Sequence, residues 1–355
     1  MIKDISIDTP DKRIYDEVKA RWDMVAKPID GLGEMEDIIC RIAAVSADAS
    51  LKNIDRSLLA ILCADNGVVA EGVTQTGQQV TASVMEKMGR GESSVCRMAK
   101  VSGTDIQVYD MGVNTDAIYE GVDIRYKIGH GTNSLASMPA MSSEELDRCI
   151  EAGIDIAARA KDAGYGLLAL GEMGIGNTTT SSCVCAGLLR LDARTVTGRG
   201  AGLSDEGLKR KISVVQEAID RYRLHDLPVT DMLSTVGGYD IAGLTGICIG
   251  GAIHHIPVIL DGFITETAAL AAVRLCPGVK EYLIASHSGR ETGTKAIERE
   301  LGLKPVIHAG LSLGEGTGAV MLINLIRQSM TVYSEVYGFD DIGMDGYVRY
   351  SGNDS

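Results

Sequence analysis

The sequence predicts an α/β fold in which a parallel sheet is flanked by helices, and three observations carry that prediction. From residue 58 onward, short aliphatic runs that end in Gly or Asp alternate with longer amphipathic segments, the pattern of buried parallel strands joined by helices. Glycine outnumbers proline 42 to 7 and aromatic residues make up only 4% of the chain, so tight turns join aliphatic strands to small-residue helices. Of the 355 residues 45% are hydrophobic and 23% charged, which provides a large core and excludes a disordered chain.

In chain order, Thr9-Pro10 opens a first helix over 11–27, with Thr as its cap, Pro in its first turn and Pro28 as its stop. A second helix follows over 35–45. Neither is attached to a strand pattern, so the two are expected to form a helical layer apart from the main sheet. Strands are expected at 58–64, 106–111, 166–170, 257–260 and 282–286. Helices are expected at 142–163, where Ser142 and Glu145 have capping-box spacing, and at 178–189, 204–222, 265–275, 291–301 and 316–333. No internal repeat or low-complexity tract interrupts this rhythm, and residues 351–355 are expected to fray.

Lysine and arginine number 34 against 48 acidic residues, a net charge of −14, which argues against nucleic acid as a partner. The first residues carry charge from Lys3 and no apolar leader. The longest apolar stretch, 241–264, is broken by His254, His255, Pro257 and Asp261, so no membrane partner is expected. The eight cysteines form no CxxC pair, and free buried thiols in a cytoplasmic protein are the reading that fits. His254 and His255 diverge on a helix or a strand, and no third ligand at a metal-site spacing accompanies them.

Ligands of open parallel sheets bind beyond the carboxyl ends of the strands, which directs attention to the segments after each aliphatic run. In one of them Gly171, Gly174 and Gly176 separate a strand from a helix that opens at Asn177 or Thr178. Such a loop either presents N–H groups to an anion or is a plain tight turn. Gly200, in the second glycine-rich turn 198–202, and Lys211 could serve the same anion, although a lone helical Lys is more often solvated. In another segment Glu315 stands between two glycines, where it can cap little and bury nothing. A carboxylate held in a partly dry pocket has a raised pKa and can act as a general base. Glu172 occupies a similar place. Asp65 and Asp261 also follow strands, either as caps of the next turn or as functional groups.

Taken together, the motifs CADNGVVAEGV, GEMGIGNTT, GRGAGL with Lys211 downstream, VGGYD, LDGF and LGEGTGA, spread over 58–326, resemble the nicotinate-nucleotide:dimethylbenzimidazole phosphoribosyltransferases. The resemblance implies a six-stranded Rossmann-like sheet in a large domain, 51–319, and a small helical domain built from 1–50 and 320–355. It implies pairing as a homodimer or with a homologue. It also implies transfer of the 5-phosphoribosyl group of nicotinate mononucleotide to an aromatic base, with inversion at C1′, without metal or other cofactor, to supply the lower ligand of cobamides. On that basis Glu315 takes the proton of the attacking base and Glu172 is the second acid. Gly174, Gly176, Asn177, Gly200 and Lys211 fall on the ribose-phosphate side, Thr76, Val84 and Leu313 line the base pocket, and Asp65 and Asp261 complete the substrate-binding set.

Three positions depart from the family pattern. A usual histidine is Asn66, a glutamine at the benzimidazole site is Val84, and a phosphate-side serine is Gly289. The acceptor half has lost a polar group, so two alternatives accompany the main reading. One is a subunit of a heterodimeric phenol or p-cresol phosphoribosyltransferase. The other is a non-catalytic partner of an active homologue.

Overall fold

The computed structural model describes residues 5–349, so the tail 351–355 lies outside the described residues. Six parallel strands form one sheet: β1 (Ser57–Ala64), β2 (Asp105–Gly112), β3 (Val122–Asp123), β4 (Leu167–Met173), β5 (Val258–Leu260) and β6 (Leu283–Ala285). Their spatial order is β3-β2-β1-β4-β5-β6, so the chain winds outward in one direction from β1 and in the other from β4. The sequence of β1, SLLAILCA, is buried at every position because β2 and β4 flank it and helices cover both faces. Five strands agree with the periodicity. The sixth, β3, is a two-residue edge strand, too short to leave an alternation in the sequence.

Thirteen α-helices accompany the sheet among the described residues: α1 (Lys12–Met24), α2 (Glu34–Ser46), α3 (Gln79–Gly89), α4 (Ser94–Ser102), α5 (Ser143–Asp162), α6 (Asn177–Leu189), α7 (Ala193–Val196), α8 (Asp205–Tyr222), α9 (Val229–Val236), α10 (Tyr239–Ile253), α11 (Phe263–Leu275), α12 (Thr294–Leu301) and α13 (Thr317–Glu335). Strand alternation divides the core in two. Leu58, Ala60, Leu62, Leu168 and Leu170 face α5 to α12, whereas Leu59, Ile61, Cys63, Leu167 and Ala169 face α1 to α4 and α13. The chain ends meet on the second face. The rings of Trp22 and Tyr333 lie 4.9 Å apart, Val25 bridges Gly338, and Arg349 donates to Asp23 and Asp30.

Several boundaries differ from the sequence expectation for local reasons. Asp11, not Thr9, caps α1, accepting from the N–H of Arg13 at 2.8 Å, so the helix starts after Pro10 and stops at Met24. The 291–301 helix begins at Thr294. The capping box at Ser142 and Glu145 is present in full. Helices α3, α4, α7, α9 and α10 are not marked by periodicity. In α10 the reason is plain: all but its last residue are buried, so no polar face breaks the run. The apolar stretch 241–264 is thus a core helix followed by β5, and among the described residues no helix is long and apolar enough to cross a membrane. All eight cysteines are free and buried.

Candidate active site

A cavity of about 290 Å³ opens where β4, β5 and β6 end. It sits on the β4 side of the point at which strand order reverses, where α/β sheets bind ligands. Eight residues expected from the sequence line it: Val84, Glu172, Gly174, Asn177, Gly200, Asp261, Leu313 and Glu315.

Glu315 does not follow a strand. Ile307 makes only one parallel bridge, to His287, and the chain then runs irregularly to the start of α13. Gly314, Glu315 and Gly316 all have positive φ, at 80°, 63° and 93°, a conformation costly for the one non-glycine among them. The segment is clamped by close approach, since a Cβ on Gly171 would come within 2.5 Å of the Glu315 carbonyl oxygen. Contrary to the sequence expectation, Glu315 does cap a helix: its Oε2 accepts from the Val95 N–H in the first turn of α4, at 3.2 Å.

Glu172 is buried beside it, and its Oε1 would lie 2.8 Å from a Cβ on Gly314. Burial pushes the Glu172 carboxyl up to about 8; the Asn177 amide, donating to Oε2, opposes this, while Asp240, Asp261 and Glu315 add to it. The same Asn177 amide donates to Asp240 Oδ2 at 3.0 Å, so one side chain ties two carboxylates together. Asp261 caps a helix distant in sequence, not the turn that follows it. It accepts from the N–H groups of Gly316, Gly318 and Ala319 at 3.2, 2.7 and 3.3 Å, and so anchors the start of α13 to the end of β5. Burial nevertheless raises its carboxyl to about 7.

Behind Thr178 and Gly200, which line the cavity, lies a buried cation. Gly176, at φ 98°, forms the N-cap of α6, and the Asn177 and Thr179 N–H groups donate to the Gly174 and Gly176 carbonyls at 3.1 and 2.9 Å, so the positive end of the helix meets the glycine loop. Lys211 is 1% exposed, not solvated, and its Nζ donates to Thr178 Oγ1 at 2.8 Å; it makes no ion pair with a carboxylate among the described residues. Burial lowers its ammonium to about 8, with Glu291 the main opposing influence. A Cβ on Gly200 would lie 3.5 Å from that ammonium. A buried ammonium without an acidic partner is poised for an anionic ligand.

Two expected residues lie away from the site. Thr76 is exposed on the loop before α3, and Asp65 turns toward β2, accepting from the Asn114 N–H at 2.8 Å. Three residues missing from the expected set belong to the site. Asp240, in the VGGYD motif, reaches it through α10; His287, held neutral by burial with its pKa lowered to about 4, lies 3.8 Å from Asp261; and Arg290 stands on the wall. Among the described residues no group of three His, Cys, Asp or Glu side chains is placed to hold a metal ion.

The chain and its fold have close counterparts. Residues 7–344 match a family model described as Phosphoribosyltransferase. The nicotinate-nucleotide–dimethylbenzimidazole phosphoribosyltransferase of Acetivibrio thermocellus is 42% identical, over 95% of each chain. That of Clostridium perfringens is 38% identical over 93% of this chain and 91% of its own. A solved structure of the Thermus thermophilus enzyme of that name superimposes with a TM-score of 0.87 at 33% identity, covering 95% of this chain and all of that one. A sheet ending at a carboxylate-lined cavity, with a buried ammonium behind its glycine-rich wall, together with these matches, places the chain in the phosphoribosyltransferase family.

Proposed function

We propose that the chain transfers the 5-phosphoribosyl group of nicotinate mononucleotide to a lower-ligand base, dimethylbenzimidazole or a related azole, giving an alpha-ribotide for cobamide synthesis and releasing nicotinate. The observation that carries this reading is a cavity lined by the Glu172 and Glu315 carboxylates and by Thr178 and Gly200, behind which the buried Lys211 ammonium donates to Thr178. The ammonium suits the phosphate of the donor and the carboxylates its reacting carbon.

The pyridinium nitrogen of the donor leaves with the C1′–N electron pair as a neutral ring nitrogen, so departure needs little help. The attacking azole must shed its N–H proton as its other nitrogen bonds to C1′. Glu315 takes that proton through Oε1, the oxygen not engaged by Val95. Glu172, raised by burial to about 8, holds its own proton at neutral pH. A pyridinium placed beside it favours ionisation, after which the carboxylate offsets positive charge at the ribosyl carbon. Glu315, Glu172 and Lys211 are all retained, which weighs against a non-catalytic partner.

The small helical unit, 1–50 with 320–355, is proposed as the part that meets a second subunit, identical or homologous. The exposed Tyr337, Met344, Tyr347 and Val348 support that placement. The test is incubation of the purified chain with nicotinate mononucleotide and a panel of azoles, purines and phenols, read by product mass. A ribotide of an azole is expected. No transfer to any acceptor would overturn the reading.

A further inference from the structure

Arg290 is the one Lys or Arg among the residues lining the cavity, and the carboxylates Glu172, Asp261, Glu291 and Glu315 line it with Arg290. The Arg290 backbone N–H donates to the Leu311 carbonyl at 3.4 Å, while its guanidinium has no hydrogen-bond or ion-pair partner among the described residues. The side chains of Arg290 and Glu291 have different neighbours. The Glu291 carboxylate lies against Gly198, in the turn beside Lys211. The Arg290 Nε would stand 3.1 Å from a Cβ on Gly310, at the root of the segment that carries Leu311, Leu313 and Glu315. One cation thus lies behind the glycine turn that holds Gly200, and another beside the segment that carries Leu313 and Glu315.

Nicotinate mononucleotide carries two anionic groups, a phosphate and a ring carboxylate, at opposite ends. With the phosphate at Lys211, we propose that Arg290 binds the ring carboxylate of the donor and so selects nicotinate over nicotinamide mononucleotide. This rests on the transferase reading above. The charge balance favours it further. In the donor the ring nitrogen is positive and offsets the carboxylate. When the C1′–N bond breaks, its electron pair returns to the ring and the leaving group becomes a net anion, so the attraction to Arg290 grows toward the transition state.

The test compares wild type, R290M and R290K. It uses kcat/KM with nicotinate mononucleotide and calorimetric Kd values for nicotinate and nicotinamide mononucleotides without acceptor. R290M is expected to lower kcat/KM for the nicotinate donor about 10- to 100-fold, the scale of a charge-assisted contact, and to leave nicotinamide mononucleotide binding within about twofold. R290K is expected to recover part of the loss, since it keeps the charge without the planar fork. An active wild type whose preference between the two nucleotides survives R290M, or a variant that loses both equally, overturns the role of Arg290 alone. A wild type inert toward nicotinate mononucleotide overturns the transferase reading and this inference with it.

Discussion

Val95 and Glu315, 220 residues apart in sequence, are joined by a 3.2 Å hydrogen bond from the backbone N–H of the first to Oε2 of the second. The carboxylate therefore sits at the positive end of α4, which fixes one oxygen and leaves the other toward the cavity. Because Gly314 and Gly316 supply the flanking left-handed turns, the side chain is held by backbone on both sides before any substrate arrives.

Lys211→Met is expected to weaken nicotinate mononucleotide far more than free nicotinate, because only the nucleotide carries the phosphate. A lost charged contact corresponds to roughly 1.5–3 kcal/mol. The KM of the wild type for the nucleotide should also rise as pH passes about 8, where the Lys211 ammonium gives up its proton. Equal weakening of both ligands, measured by calorimetry, would place Lys211 away from the phosphate.

Glu172→Gln should alter stability with a definite sign. The Glu172 carboxyl is raised in the folded protein from 4.5 to about 8, so between those values the native state binds more protons than the unfolded one. The contribution of Glu172 to stability is full below the lower value and is lost as pH rises through the upper one. The amide removes this decline while still accepting from Asn177. The Tm of the unliganded variant is expected to fall less between pH 5 and pH 8 and to exceed that of wild type at pH 8, by on the order of 2 °C. Parallel Tm curves for the two proteins would contradict the burial of an ionisable carboxyl at this position.

Much of this site is legible in the sequence, and the exceptions have physical causes. Glu172 and Glu315 stand out because glycines beside a carboxylate are poorly explained by packing. Lys211 does not, since a Lys on the amphipathic α8 looks solvated until the glycine turn at 198–202 is seen to fold over it. Asp240 lies 63 residues beyond Asn177, and only the packing of α10 under the sheet brings the two together. Asp65 misleads for the opposite reason: it follows a central strand, but the cavity opens over β4 to β6, and Asp65 serves the β1–β2 side. The strands are readable because burial on both faces leaves an aliphatic run, whereas burial all around α10 erases the helical period.

Val84→Gln addresses the choice of acceptor. Val84 lines the cavity as an apolar wall, so it offers no second acceptor beside Glu315 to the N–H of a benzimidazole, where a glutamine amide would. The substitution should shift the ratio of kcat/KM for dimethylbenzimidazole over phenol by on the order of 1 kcal/mol toward the azole, a typical net hydrogen bond. An unchanged ratio would mean that Val84 does not touch the acceptor.

The central claim is that Glu315 accepts the azole proton, and Glu315→Gln measured against two acceptors tests it most directly. Benzimidazole must lose an N–H proton when its other nitrogen attacks, whereas 1-methylbenzimidazole has a free nitrogen to attack and no such proton to lose. The amide keeps the Val95 hydrogen bond and the shape of the site but cannot take a proton. With benzimidazole, kcat/KM is expected to fall about 10² to 10⁴-fold, the usual cost of removing a general base, and with 1-methylbenzimidazole to change little. An equal fall with both acceptors, or full activity with benzimidazole, would contradict the assignment of Glu315 as the base.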